Sequence, residues 1–373
     1  MIRISLYLIA TTLIISACSE NKPITPSESR DLSISPYLTF CDSLANSLSN
    51  NETSIISKNL NNRIIIRNSL LGIDIPQEYK SEYSSAFKSK IPEIALELEN
   101  SIKGMGYWYT LTAQNEKNCY MHSSLTERGL YIIGFRLSNT NNTVEIIDWE
   151  DYSSSIKASD SIRSVIKDVT HYEKTYGEVS KFNSFSTAIN QNNPATAWRI
   201  IKSMPEEIRN NRTYTYRILT LINENHPIYQ EVMKTYEKLV SKEDRGLIFY
   251  DYYLSKNDLN GALNVVSNIE RKTSNDALFE LMRASAYLNT GNKKQFLSKM
   301  AETIDEGETY EDAYLMLMDF FINEKLYKEA TMSMDILEKA HGYEFTRDIF
   351  LGQAEYEDFA KSETFNSWYK SKR

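Results

Sequence analysis

Cysteine is nearly absent from this chain: there are three in 373 residues, beside four histidines, 12 glycines and eight prolines. So few thiols exclude a four-cysteine zinc centre and a disulfide-dense secreted scaffold. His122, His171, His226 and His341 are scattered without metal-ligand spacing, so each reads as a structural or surface side chain, and no metal or cofactor is expected. Scarce glycine and proline exclude collagen-like and low-complexity polymers. With 41% hydrophobic and 25% charged residues, the composition is that of folded globular domains. Also missing are the linear signatures of catalysis: no G-x-S-x-G elbow, no H-E-x-x-H and no phosphate-cradling G-x-x-x-x-G-K-[ST]. Gly104-x-Gly106 is a turn between a helix and a strand. Basic charge is in deficit, 42 Lys and Arg against 50 Asp and Glu, which argues against a nucleic-acid partner and against adhesion to anionic lipid.

Long apolar runs are missing too, except at the start. Met1-Ile2-Arg3 is followed by an apolar stretch from Ile4 to Ile15, then by Ile15-Ser16-Ala17-Cys18. About a dozen apolar residues are too few to span a bilayer, which needs roughly 20, but they suit an export signal. The closing four residues resemble the lipobox of bacterial lipoproteins. The resemblance implies cleavage after residue 17 and a diacylglycerol on the Cys18 thiol, anchoring the protein to a membrane in the cell envelope. Ser19 stands where that family often carries an inner-membrane-retaining Asp, which implies the outer membrane, facing the periplasm, if the source is Gram-negative. Residues 18–34 are polar, with two prolines, and read as a tether. Export places Cys41 and Cys119 in an oxidising compartment. A disulfide between them and two buried free thiols are both open.

Residues 35–175 read as an α+β domain. Helical patterns over 35–50, 53–71 and 76–103 precede short aromatic and β-branched runs at 107–112, 119–122, 130–135 and 144–149, then a helix over 160–172. Polar turns between the strands predict an antiparallel meander with helices on one face. The stretch 129–164, with Val-Glu-Ile-Ile-Asp-Trp-Glu-Asp-Tyr, resembles an uncharacterised domain that precedes helical repeats in bacterial proteins. A cystatin-like or nuclear-transport-factor-like sheet is the architecture expected. Glu145, Asp148, Glu150 and Asp151 could be imagined as acid–base carboxylates. Strict alternation, however, sets Glu145 and Asp148 on opposite faces, and the cluster reads as a solvated strand end.

Residues 176–373 repeat. Tyr253, Tyr287 and Phe321 are 34 residues apart, and so are Ala262, Phe296 and Ala330, with polar turns between. This period resembles the tetratricopeptide repeat, in which paired helices stack into a solenoid with a concave binding face. The repeats are degenerate, since Phe296 replaces a small residue. The resemblance implies a partner groove lined by Leu247, Asp251, Leu281, Ser285, Leu315 and Asp319. A further row, Leu254, Leu288 and Ile322, serves either the groove or helix packing. Asp251 and Asp319 are expected to face solvent or partner, because buried unpaired carboxylates are costly. The expected role is a non-enzymatic scaffold that holds a protein or peptide. The alternatives are a small-ligand module in the first domain and, behind it, an enzyme of unrecognised type.

Overall fold

A computed structural model describes residues 35–73, 77–111, 117–124, 129–176, 180–273, 276–305 and 311–372. The export signal, Cys18 and the tether lie outside them. Among the described residues no helix is long and apolar enough to cross a membrane.

Helix α1 (Pro36–Ser49) opens on a proline, whose missing N–H costs nothing in a first turn, and buries Cys41, Leu44, Ala45 and Leu48 along one stripe. The helix expected over 53–71 is two: α2 (Ile55–Lys58) and α3 (Asn62–Leu70). Between them Leu60 bridges to Ile146, with Asn61 N donating to Ile146 O at 2.9 Å and Ile146 N to Asn59 O at 2.8 Å. The Asn61 side chain accepts from Ile64 N and caps α3. Asparagines that bond locally in this way compete with helix, and here they break it. Helix α4 (Gln77–Ile102) stops before Gly104 and Gly106, whose φ of 75° and 82° suit glycine.

Strands β1 (Trp108–Thr110), β2 (Asn118–Ser123), β3 (Ile132–Thr140), β4 (Thr143–Asp151) and β5 (Ile156–Lys157) form one antiparallel sheet in the order β1-β2-β3-β4-β5. The last, only two residues long, carried no periodic signal. Asn141 and Asn142 both take positive φ in the β3–β4 turn, the conformation asparagine tolerates in tight hairpins. One sheet face gives Cys119, Met121, Ile133, Phe135, Leu137, Ile146 and Trp149 to a core shared with α1, α3, α4 and α5 (Ala158–Tyr176). Cys41 of α1 and Cys119 of β2 form a disulfide in this core, their Cα atoms 5.7 Å apart, so the pair is bonded rather than free.

Strict alternation fails in β4. Leu137 pairs with Ile146 but Arg136 pairs with Asp148, a bulge that leaves Ile147 as the extra residue. It brings Trp149 to the core face beside Ile146. Asp148 shifts to the side that Glu145 occupies, which corrects the expectation that those two carboxylates oppose each other.

The remaining described elements are helical: α6 (Ser180–Asn190), α7 (Pro194–Lys202), α8 (Glu206–Arg209), α9 (Arg212–Leu219), α10 (Tyr229–Leu239), α11 (Leu247–Ser255), α12 (Leu259–Lys272), α13 (Ala277–Asn289), α14 (Lys293–Asp305), α15 (Glu311–Asn323), α16 (Tyr327–His341), α17 (Arg347–Leu351), α18 (Glu357–Lys361) and α19 (Glu363–Ser371). The chain forms two compact units. The first holds the described residues through Tyr252 and those from Ser267 to Thr273; the second holds Tyr253–Val266 and the described residues from Asp276 on.

The boundary expected at 175/176 therefore falls inside the first unit. The cause is the β4–β5 turn. Its carbonyls cap α11, with Leu247 N donating to Tyr152 O at 2.9 Å and Ile248 N to Ser153 O at 3.2 Å. Tyr216 Oη donates to Asp151 at 3.1 Å and Tyr236 Oη to Ser154 O at 3.4 Å. Helix N-termini need such acceptors, and here a strand-to-strand turn supplies them.

In the second unit the helix starts Leu259, Lys293 and Tyr327 keep the 34-residue spacing. The turn before each is built alike: Asp258 N donates to Tyr253 O, Asn292 N to Tyr287 O and Leu326 N to Phe321 O, each at 2.8 Å. Asn257, Gly291 and Lys325 hold the left-handed position. The C-terminal end closes on Phe350, ringed by Phe345, Tyr356, Phe359 and Phe365.

Candidate functional site

The sheet face opposite the shared core carries a cleft of about 720 Å³, contained within the first unit. Its floor is two rows of cross-strand neighbours. Tyr120, Gly134, Glu150 and Lys157 stand in register across β2 to β5, and Asn118, Arg136 and Asp148 make the next row. Arg212, Asp244 and Lys272 from the helical part complete the wall. Gly134 has a steric reason: a Cβ there would sit 2.8 Å from the Tyr120 ring and 3.2 Å from that of Tyr152. Its absence lets Tyr120 lie against the sheet, edge-on to Tyr152 at 6.3 Å between centroids. Ser155, at the cleft edge, is held at φ 52°, and its hydroxyl is buried without a partner.

The lining carries five cationic side chains, with Lys117 among them, against four carboxylates, with Asp160 among them. Most of the carboxylates are committed. Asp148 accepts from its neighbour Trp149 N at 3.0 Å and from Ser159 N at 3.1 Å, and takes the Ser159 hydroxyl on its other oxygen, capping α5. Burial nevertheless raises its carboxyl above the ordinary range against those bonds. Asp160 pairs with Arg163 at 3.0 Å. Asp244 pairs with Lys272 at 3.0 Å; burial opposes its charge, but bonds from Lys272 and Ser241 and the nearby Arg212 pull it below the ordinary range. Glu150 differs. Burial raises its carboxyl, and Lys157, Lys272 and Arg212 only partly offset that.

Comparison with family models, curated proteins and solved structures finds no match. The geometry alone carries the reading.

The acidic cluster is not a solvated strand end. Glu145 accepts from Asn61 at 2.8 Å, Asp148 caps a helix and Asp151 bonds Tyr216, so only Glu150 is left to the cleft. A sequence clue existed: Ile146 and Trp149, both core-sized and three apart, cannot share a face without a bulge.

The expected helix groove is not an open surface. Leu247 and Asp251 belong to the first unit, and Leu281, Ser285, Leu315 and Asp319 to the second. Leu247 is 0% exposed, while Leu281 and Ser285 are buried in helix packing and Leu315 packs against the C-terminal core. Leu254 and Ile322 are buried as well, and Leu288 is partly buried against its own cluster. Asp319 is half-buried and already engaged: it accepts from Tyr356 Oη, and burial raises its carboxyl. Asp251 is partly exposed along its stem, but both carboxylate oxygens are shut off from water with no hydrogen-bond partner. Burial, and then the charge of Glu224, push its carboxyl well above 3.8.

That shift has a direction in pH. The folded protein holds the Asp251 proton where the unfolded chain releases it. The resulting stability is full below the unfolded carboxylate value and lost as pH rises through the folded one. Asp251→Leu should flatten this slope. It should also raise stability at pH 8 by about 1–3 kcal/mol, the usual cost of an unsatisfied buried polar group. Urea denaturation of wild type and variant from pH 4 to 8 checks it; parallel curves would refute the assignment.

Proposed function

We propose that this is a lipid-anchored envelope protein whose sheet cleft holds a small polar ligand. Cys18 carries the lipid in this reading, and the tether of residues 18–34 sets the folded part off the membrane, which is the outer membrane if the source is Gram-negative. The single observation that supports a binding role is the cleft, whose volume lies in the range of ligand sites and whose floor of paired tyrosines, Glu150 and Lys157 mixes ring faces with charge. Binding is favoured over catalysis because Asp148 spends its carboxylate on α5, so Glu150 has no second free carboxylate beside it for acid–base work. The five-stranded meander backed by helices supports a likeness to cystatin-like or nuclear-transport-factor-like domains at the level of architecture only.

A second reading rests on the 34-residue recurrence of the hairpin turns. It treats the second unit as tetratricopeptide-like repeats that stack and hold a protein or peptide. Its contact surface would lie elsewhere than the buried rows, among exposed apolar residues such as Leu297, Leu326 and Met332.

Native mass spectrometry of the protein released from its own membrane in mild detergent tests the first reading. The expected result is a small non-covalent adduct that disappears in Gly134→Leu, which fills the cleft floor, while a thioether-linked lipid on residue 18 persists. An adduct-free wild type, or one equally occupied in Gly134→Leu, would overturn it.

A further inference from the structure

We infer that the ligand of this cleft bears an anionic oxygen group, a carboxylate or a phosphate, received by Arg136 and Lys157. This rests on the cleft reading above and names the ligand's chemistry. The molecule as a whole carries a formal charge of −8, yet the cleft gathers more cations than carboxylates. Cations gathered along one cleft focus the local field and raise the concentration of anionic ligands there.

What matters is which charges are free. Among the described residues, Asp148, Asp160 and Asp244 are bonded to Ser159, Arg163 and Lys272. The side chains of Arg136 and Lys157 make no direct hydrogen bond or ion pair, Lys157 meeting Glu150 only through longer-range charge, and both are exposed at the two rows of the floor. Arg136 stands opposite Asp148, whose oxygens are already taken, so the guanidinium keeps its planar fork for an incoming carboxylate or phosphate. Lys157 stands opposite Glu150. Burial works against the charge of Glu150, which lessens its repulsion of an incoming anion. Neutral sugars would leave both cations unused, and a polyamine would meet them head-on.

The test titrates the full chain in detergent with citrate, inorganic phosphate, glucose and spermidine. The readouts are the heat of binding in titration calorimetry and the thermal midpoint. Saturable binding of citrate or phosphate is expected, weakened tenfold or more in Arg136→Gln/Lys157→Gln. Lys294→Gln/Lys328→Gln, which removes the same charge from exposed positions of the second unit, should leave it unchanged. Equal loss in both double variants would mean general charge attraction and would overturn the inference. Saturable binding of glucose or spermidine in place of the anions, lost in Gly134→Leu, would overturn it too while leaving the cleft as a ligand site. Silence with all four probes would count against both.

Discussion

Gly246→Ala should destabilise the first unit by about 3 kcal/mol, the upper range for overpacking a filled site. A Cβ at this position would lie 2.3 Å from Tyr152 O and 2.7 Å from Ser153 O. Those obstacles are backbone carbonyls, not flexible side-chain ends, and both already accept from the first N–H groups of α11. The methyl cannot be accommodated without pulling α11 off the turn and breaking these bonds. Gly352→Ala is the internal control. Its Cβ would meet nothing closer than Asp348 O at 3.6 Å, so it should be neutral or stabilising by a few tenths of a kcal/mol. Urea unfolding of the two variants, monitored by tyrosine and tryptophan fluorescence, separates them; equal midpoints would contradict the clamp.

Loss of the Cys41–Cys119 bond should cost more. It closes a loop with a sequence separation of 78, for which the chain-entropy relation gives about 4.5 kcal/mol at 25 °C. The bond ties α1 to the start of β2 inside the main core, where Cys119 is 0% exposed, so reduction also loosens helix-to-sheet packing. Cys41→Ala/Cys119→Ala should lower the urea midpoint, and reductant should do the same to wild type but not to the double variant. Alkylation of the denatured, exported protein should modify neither residue before reduction. Two modified thiols, or a midpoint that does not move, would refute it.

Much of this architecture was legible from residue pattern. The aromatic and β-branched runs after Gly106 gave four of the five strands, and the spacing of Tyr253, Tyr287 and Phe321 marked three hairpin turns of identical hydrogen bonding. Those signals are local, set by alternation or by turn chemistry within a few residues. What escaped notice depends on partners far along the chain. The break at Leu60 exists because Ile146 is there to pair with, and the bulge at Ile147 exists because Trp149 must reach the core. The cleft escaped for the same reason: Tyr120, Gly134, Glu150 and Lys157 come from four strands and become neighbours only through register. Asp251 was misread in the opposite sense. Burial of an unpaired carboxylate is costly enough that sequence reasoning sends it to solvent, yet the protein tolerates it.

The turn from Asp151 to Ser155 also limits how this gene can be divided. A protein cut after α5, near residue 176, would take the Tyr216 hydroxyl from Asp151 and the donors from the carbonyls of Tyr152, Ser153 and Ser154, and would strand Tyr216, Tyr236 and the start of α11 in the other piece. Neither half would be self-sufficient. The sheet and the helices that follow it are therefore expected to be inherited, transplanted and expressed as one indivisible block. Fusions, tags or circular permutations should be placed outside it.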